Sequence, residues 1–386
     1  MNEPRAQQLF VPTFRIDECL AEIRECLEKG WTGLGYKTVE FESQWKAFTG
    51  LPHAHFLNSA TAGLRFSVRL MKHKHRWEDG DEIISTPITF VSTNHAVLYE
   101  NMRVIFGDVD EYGCLDPECI EALATPRTRA VMFVGLGGNT GQYERVRQIC
   151  DRKGLKLILD AAHMAGTRFR GKTPGGDADV VVYSFQAVKN LPTADAGMVC
   201  FADADLDALV RQQSWLGIDK DTYSRTMEGG TYKWYYDVPS LGFKDHGNSI
   251  MAAIAIVQLK YLDVDNAYRR QLATWYEELL GEAALSSNVL KIVPTAPGCE
   301  SSRHLFQVLV PNRDEILLAL NNASVYPGVH YRDNTEYSMY AATARKSESA
   351  KFFSDSVLSL PMHLRLTRAD IEYICSTLLQ VFKLRP

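Results

Sequence analysis

The chain has no C-x-x-C cysteine pair, no H-E-x-x-H pattern, no internal repeat and no low-complexity segment. Its eight cysteines (Cys19, Cys26, Cys114, Cys119, Cys150, Cys200, Cys299 and Cys375) are scattered. That spread argues against a zinc site and a disulfide framework, and for a reducing compartment. The histidines form no metal-binding spacing, so no metal is expected. No stretch is apolar and long enough to span a bilayer, and Met1–Gln8 lacks an apolar signal core. The expectation is a soluble cytoplasmic protein without a membrane partner. A net charge of −5 gives no electrostatic footprint for nucleic acid.

What is present is 386 residues with 46% apolar composition, enough to bury one large core and a smaller one. Ile16, Leu20, Ile23 and Leu27 recur at helical spacing, so an amphipathic helix is expected over Arg15–Gly30. Short apolar runs follow as candidate strands: Glu82–Thr86, Arg103–Val109, Ala130–Val134, Leu155–Leu159, Val180–Tyr183 and Met198–Phe201. Helical patterns such as Pro117–Ala124 and Tyr143–Lys153 alternate with them. That alternation predicts an α/β fold, a mostly parallel sheet flanked by helices. From Ile250 a long helical run leads into an α+β region with a strand at His304–Val310 and helices at Asp314–Asn321 and Arg368–Phe382. The predicted boundary lies inside the long helix, giving a large domain over 1–255 and a smaller one over 256–386.

Two of the strands end in chemically capable residues. Leu155-Lys-Leu-Ile-Leu-Asp160-Ala-Ala-His163 stops at a carboxylate and a histidine, and Val180-Val-Val-Tyr-Ser184-Phe-Gln-Ala-Val-Lys189 at a hydroxyl and then an amine. Open α/β sheets present ligand sites at the carboxyl ends of their strands. A lysine amine forms Schiff bases with carbonyls, and an aspartate can keep a pyridine nitrogen protonated, which together point to pyridoxal 5′-phosphate. The same residues also fit two core strands with incidental charged ends. Residue types alone leave both readings open.

Further segments carry double readings. Asn58-Ser59-Ala60-Thr61-Ala62-Gly63 opens a helix-like stretch whose N–H groups suit a phosphate, and it equally fits an ordinary Ser/Thr N-cap. Phe90, after Thr86-Pro-Ile-Thr89, can stack on a planar ring or belong to the core. Gly135-Leu-Gly-Gly-Asn-Thr-Gly141 lacks dinucleotide spacing and reads as a tight strand-to-helix turn. Lys72-His-Lys-His-Arg76 reads as a solvated helix end before a turn at Asp79-Gly80.

Taken in order, several segments resemble the DegT/StrS-type sugar aminotransferases of the aspartate-aminotransferase (fold type I) superfamily. They are Trp31-Thr-Gly33-Leu-Gly with Val39-Glu-Phe-Glu42, Asn58-Ser-Ala-Thr-Ala62, Thr89-Phe-Val-Ser-Thr93 and Val104-Ile-Phe-Gly-Asp-Val109. Leu159-Asp160-Ala-Ala-His163-Met-Ala-Gly, Ser184-Phe-Gln-Ala-Val-Lys189-Asn-Leu and Leu358-Ser-Leu-Pro361 complete the series. The resemblance spans nearly the whole chain. It implies that Lys189 carries the cofactor as a Schiff base and then shuttles a proton. Asp160 pairs with the pyridinium nitrogen, His163 lies against the phenolic oxygen and Phe90 stacks on the ring. Ala60, Thr61, Ala62 and Ser184 form the phosphate site. The matching regions of the family place Trp31, Gly33, His330, Tyr331 and Arg332 near the sugar.

The resemblance also implies a homodimer with shared sites, completed by a segment usually reading G-Y-N-Y-R-M. Here the matching stretch is Gly242-Phe-Lys244-Asp-His246-Gly-Asn248, which puts Lys244 where the family has an asparagine. A lysine still meets a phosphate, as a point charge. Gly135-Leu-Gly-Gly-Asn departs from the family's V-H-x-x-G stretch. Dehydratase members carry histidine where this chain has Lys189, so the lysine favours amino transfer. The implied activity moves an amino group from an amino acid, L-glutamate, to a nucleotide-linked keto-sugar, the cofactor alternating between pyridoxal and pyridoxamine phosphate. The rivals are an aminotransferase for a keto-cyclitol or other non-nucleotide acceptor, and a non-catalytic, cofactor-binding sensory protein.

Overall fold

A computed structural model describes residues 6–219, 236–286, 290–340, 345 and 347–383. Helices α1 (Ile16–Glu28) and α2 (Tyr36–Thr49) precede the first strand, β1 (His55–Leu57). Then come α3 (Ala60–His75), β2 (Glu82–Ser85), α4 (Val91–Leu98), β3 (Arg103–Phe106), α5 (Pro117–Leu123), β4 (Thr128–Val134), α6 (Tyr143–Lys153) and β5 (Lys156–Asp160). A two-residue strand, β6 (Arg168–Phe169), is followed by β7 (Val180–Ser184), β8 (Gly197–Phe201) and α7 (Ala204–Gln213).

Seven of these strands form one sheet in the order β1-β8-β7-β5-β4-β2-β3. From β3 to β7 every pairing is parallel, while β8 runs antiparallel to both β7 and β1. The predicted mostly parallel sheet is therefore present. Its middle strands read as unbroken apolar runs because both faces are covered. Along β4, Val131 and Phe133 enter one apolar cluster while Ala130 and Met132 enter the cluster on the opposite face. Leu157 and Leu159 of β5 share the first face, and Ile158 the second, as the period-two alternation of a strand requires.

The long helix α8 (Ser249–Ser286) leads to β9 (Lys291–Ile292), β10 (Cys299–Glu300), β11 (Phe306–Leu309), α9 (Arg313–Asn322), α10 (Glu348–Ser356), β12 (Val357–Leu360) and α11 (Arg368–Lys383). Strands β12-β11-β9 form a small antiparallel sheet, and β10 pairs with β6. Leu272 and Tyr276 of α8, Phe306, Val308, Leu358, Leu360, Ile371 and Leu378 build a third apolar cluster around that sheet. The predicted long helix, the strand near 304–310 and both C-terminal helices are all found.

Helix α1 is present as expected, and its apolar stripe faces outward. Ile16, Leu20 and Leu27 are 66%, 56% and 61% exposed, and the face packed on α8 is that of Cys19 and Cys26. The reason is geometric: small sulfur-bearing side chains let α1 lie close on α8, where Cys26 Sγ sits 3.7 Å from Ser249 O. The basic run Lys72–Arg76 ends α3 at the surface as expected, with Arg76 as a left-handed C-cap.

A buried charge network ties α2 to β1 and α7. Glu42 accepts from His55 Nδ1 at 2.9 Å and from the Phe56 N–H at 2.8 Å, and the Arg211 guanidinium meets its other oxygen at 2.7 Å. Burial raises the Glu42 carboxyl pKa, and the neighbouring His55, Arg211 and Phe56 N–H outweigh that, holding it below the usual range. The edge strand that leads into α3 is fixed by these contacts.

Candidate active site

A cavity of about 420 Å³ opens at the carboxyl ends of β5 and β7. It gathers nine of the residues singled out in the sequence: Ala60, Thr61, Phe90, Asp160, His163, Ser184, Lys189, His330 and Tyr331. Asp160 ends β5 and is buried; Thr93 Oγ1 donates to its Oδ2 at 2.8 Å and the Ala162 N–H to its Oδ1 at 3.1 Å. Burial raises its pKa, opposed by those two donors and by the charge of Lys189. Lys189 stands in the turn after β7, its N–H donating to Gln186 O at 2.8 Å. Desolvation lowers its amine to about 8, against the attraction of Asp160. Among the described residues no side chain hydrogen-bonds or ion-pairs with that amine. A buried amine so poised is available as a nucleophile near neutral pH.

The N-terminus of α3 faces the same space. Ser59 caps the helix, its Oγ accepting from the Ala62 N–H at 3.2 Å. Ala62 is therefore committed to the cap and does not line the cavity, whereas Ala60 and Thr61 do. Both readings of the segment hold at once: a Ser N-cap, and two first-turn residues presented to the cavity. Gly197 of β8 makes the approach possible, since a Cβ there would lie 2.4 Å from Ala60 N. Ser184, at the end of β7, completes this wall. Phe90, 59% exposed, lines the cavity beside Tyr331, with ring centroids 6.2 Å apart.

Histidine 163 has a defined tautomer. Its Nδ1 accepts from the Gly137 N–H at 3.1 Å, so Nε2 carries the proton and donates to Tyr331 Oη at 3.1 Å. Burial drives its pKa well below the ordinary histidine value, so the ring is neutral. Gly137 has a φ of 64°, inside the glycine-rich turn, where only a residue without Cβ adopts the needed backbone cheaply. The turn that lacked a dinucleotide spacing thus orients a ring in the cavity. Tyr331 Oη, filled as an acceptor, retains its own proton to donate into the cavity.

Three residues of this wall were not anticipated as functional. His304 lies with its ring centroid 4.3 Å from that of His163 and is stacked on Phe10 at 5.2 Å. Its Nδ1 donates to Asn190 Oδ1 at 3.0 Å, because the Asn190 amide already donates to Asn266 and Ser302. Burial lowers His304 well below its ordinary pKa and takes His330 down to about 4, so both are neutral. Thr93 is the third, in the first turn of α4, and nothing in the sequence signalled its contact with Asp160. His304 and Phe10 become neighbours only through the small sheet and the N-terminal segment.

Other predicted residues lie outside the cavity of this chain. Gly33 O accepts from the N–H and the hydroxyl of Ser249, each at 2.8 Å, and Trp31 packs beside Gly35. Arg332 pairs with Glu336 at 3.2 Å across a helical turn. Asn248 caps α8, its Oδ1 accepting from the Met251 N–H at 2.9 Å. Lys244 places Nζ 3.6 Å from the centroid of the Trp215 ring of its own chain. An isolated bridge between Trp215 and Lys244 brings these two segments together across 29 positions of sequence.

The chemistry of the donor set fits pyridoxal phosphate. A buried carboxylate meets the needs of a protonated ring nitrogen, a depressed amine those of an aldehyde, and a helix N-terminus with Thr61 and Ser184 hydroxyls those of a phosphate. Among the described residues no cluster of side chains is arranged to hold a metal ion.

Comparisons with known proteins point the same way. The DegT/DnrJ/EryC1/StrS aminotransferase family matches residues 15–379. The spore coat polysaccharide biosynthesis protein SpsC of Bacillus subtilis is 29% identical over 381 residues, covering 95% of each chain. PseC of Helicobacter pylori, an aminotransferase involved in the biosynthesis of pseudoaminic acid, superposes with a TM-score of 0.90 at 25% identity, covering 98% of this chain and 100% of its own. The sugar aminotransferase CalS13 of Micromonospora echinospora superposes with a TM-score of 0.87 at 25% identity, covering 97% and 99%.

Proposed function

The chain belongs to the DegT/DnrJ/EryC1/StrS aminotransferase family, and from that premise we propose that it moves an amino group from L-glutamate to the carbonyl carbon of a nucleotide-linked keto-sugar. At the coarser level it is a sugar aminotransferase of amino-sugar and polysaccharide biosynthesis, with pyridoxal 5′-phosphate as cofactor. The observation that carries the reading is the pairing of a depressed Lys189 amine with a buried, hydrogen-bonded Asp160 in one cavity at the strand ends.

When bound, the cofactor supplies the electron sink that lets a proton leave the amino-bearing carbon. Asp160, held by Thr93 and Ala162, keeps negative charge against the ring nitrogen. Ala60, Thr61 and Ser184 hold the phosphate through backbone and hydroxyl donors. Lys189 Nζ, with a pKa near 8, takes a proton from carbon and returns it one position away without a large energy mismatch. His163, locked by Gly137 as an Nε2–H donor, fixes Tyr331 so that the phenol proton points to the reacting oxygen. The low pKa of the amine comes from desolvation in this enclosed site, against the pull of Asp160.

The shared-site homodimer is part of the same proposal, and the outward Ile16, Leu20 and Leu27 stripe supports it. So is the division into a large domain over 1–255 and a small one over 256–386, which the third apolar cluster, starting at Leu272, supports. A cytoplasmic location is also proposed; among the described residues no helix is long and apolar enough to cross a membrane. The test is a spectral titration of purified protein with L-glutamate, followed by a panel of 3-keto and 4-keto nucleotide sugars. Glutamate should convert the cofactor to its amine form, and one class of sugar should restore it. Restoration by a keto-cyclitol and by no nucleotide sugar contradicts the proposal.

A further inference from the structure

Two polar side chains on the cavity wall take no part in the chemistry above. The antiparallel ladder that pairs Ser184 with Gly197 continues past the strand ends: the Phe185 N–H donates to Ala196 O at 2.9 Å, and the Ala187 N–H to Ala194 O at 3.3 Å. That register sets Gln186 directly opposite Asp195. Directly opposed residues of an antiparallel pair project to the same face, with Cβ atoms about 5 Å apart. Both residues line the cavity that holds Lys189 and Asp160. Because Lys189 lies within the loop of this same hairpin, the pair keeps a fixed offset from the reacting amine.

Their hydrogen-bonding capacity is complementary. Gln186 Oε1 accepts from the Val188 N–H at 3.0 Å, which fixes the amide and leaves the two N–H groups on Nε2 as donors. Among the described residues those donors meet no acceptor, and the Asp195 carboxylate meets no hydrogen-bond donor or cation. Partial burial alone moves Asp195, upward, and Lys189 feels Asp160 and not Asp195. The carboxylate therefore stands clear of the amine. Among the described residues that line the cavity, Lys189 is the one lysine or arginine. An uncompensated carboxylate at this point of the wall disfavours a phosphate or a carboxylate directly beside it. It suits neutral hydroxyls, which both donate and accept.

We propose that Gln186 and Asp195 form a donor–acceptor pair that reads adjacent hydroxyls of the acceptor sugar. Asp195 accepts from one hydroxyl, and the Gln186 amide donates to the oxygen of its neighbour. The ligand class is a keto-sugar with vicinal hydroxyls, which rests on the keto-sugar reading above. Asp195 is exposed to the cavity and outside the apolar clusters, so its substitution leaves the core intact. The experiment uses the cofactor-loaded enzyme and compares the two half-reactions by stopped-flow absorbance. The acceptors are dTDP-4-keto-6-deoxyglucose or its 3-keto isomer, whichever the wild type aminates, and the matching sugar lacking one ring hydroxyl.

Loss of a hydrogen bond to a charged group corresponds to roughly a ten- to hundredfold loss in acceptor kcat/KM. Asp195→Ala should show that loss with the hydroxylated sugar, borne mainly by KM, while the donor half-reaction changes at least tenfold less. Against Asp195→Ala the deoxygenated sugar should lose little more, because the partner of the missing hydroxyl is already gone. Gln186→Leu should behave likewise toward the neighbouring hydroxyl. Equal slowing of both half-reactions, or an unchanged preference for the hydroxylated sugar in Asp195→Ala, overturns the proposal. A wild type that completes the glutamate half-reaction and aminates neither keto-sugar overturns the functional reading itself, and the hydroxyl assignment with it.

Discussion

The most quantitative consequence of this site is that the buried Lys189 amine weakens the cofactor-free fold. Desolvation takes the Lys189 amine from 10.5 to about 8, with Asp160 pulling the other way. At 1.36 kcal/mol for each pKa unit, that depression disfavours the charged form by about 3 kcal/mol. The sign follows from proton counts. Between about pH 8 and 10.5 the unfolded chain holds more protons on this residue than the folded one, so stability rises with pH across that window. Below it the burden is fully present. Lys189→Met keeps the length of the side chain and removes the charge, though Asp160 then loses the cation that favours its ionised form. The variant should be more stable than the wild type by roughly 1–3 kcal/mol at pH 7. The difference should shrink towards zero as pH passes from 8 to 10.5. Urea denaturation midpoints of both proteins, stripped of cofactor and compared at intervals across that range, provide the assay. A variant less stable than the wild type at pH 7, or a gap that does not change with pH, refutes the reasoning. Adding pyridoxal phosphate should reverse the order, because only the wild type gains covalent binding energy.

Asp160→Asn should retain the fold and bind cofactor yet slow amino transfer by several orders of magnitude, read by single-turnover absorbance, because a neutral pyridine is a poor electron sink. Glu42→Gln should cost about 1–3 kcal/mol at pH 7 by weakening the buried hydrogen bonds to His55 and the Phe56 N–H, while Arg211, itself partly exposed, keeps Asp207. Because the folded Glu42 carboxyl lies below its ordinary range, its contribution is present above that range and is lost as pH falls through the folded value. Midpoints of wild type and variant should therefore differ at neutral pH and converge at acid pH. For the partner-subunit role proposed for Lys244, mixing inactive Lys244→Ala and Lys189→Ala proteins should restore activity through heterodimers with one intact site. No recovery after subunit exchange, shown by native mass spectrometry, contradicts that role.

The strand ends were legible in sequence because parallel strands covered on both faces leave uninterrupted apolar runs, and Asp160 and Ser184 stand out where those runs stop. The cap at Ser59 was legible for a local reason as well. What stayed hidden was non-local. Thr93 reaches Asp160 across 67 positions, and His304 reaches His163 only when the small sheet docks on the large one. Helix α1 was legible from its 3.6-residue periodicity, but periodicity does not say which face meets the rest of the chain: Ile16, Leu20 and Leu27 point outward, and Cys19 and Cys26 make the contact with α8. The Gly135–Gly141 turn was recognised as a turn, but nothing in its composition announced that the Gly137 N–H fixes a histidine tautomer.

The central claim is that this cavity transfers nitrogen from an amino acid to a sugar, and isotope transfer tests it most directly. L-glutamate carrying labelled amino nitrogen is incubated with the enzyme, pyridoxal phosphate and the keto-sugar panel, and the products are resolved by mass spectrometry. The account predicts an amino-sugar bearing the label, formed in equal amount to 2-oxoglutarate and abolished in Lys189→Ala. Consumption of glutamate with the label found only in ammonia or in another amino acid, and in no sugar, would contradict it.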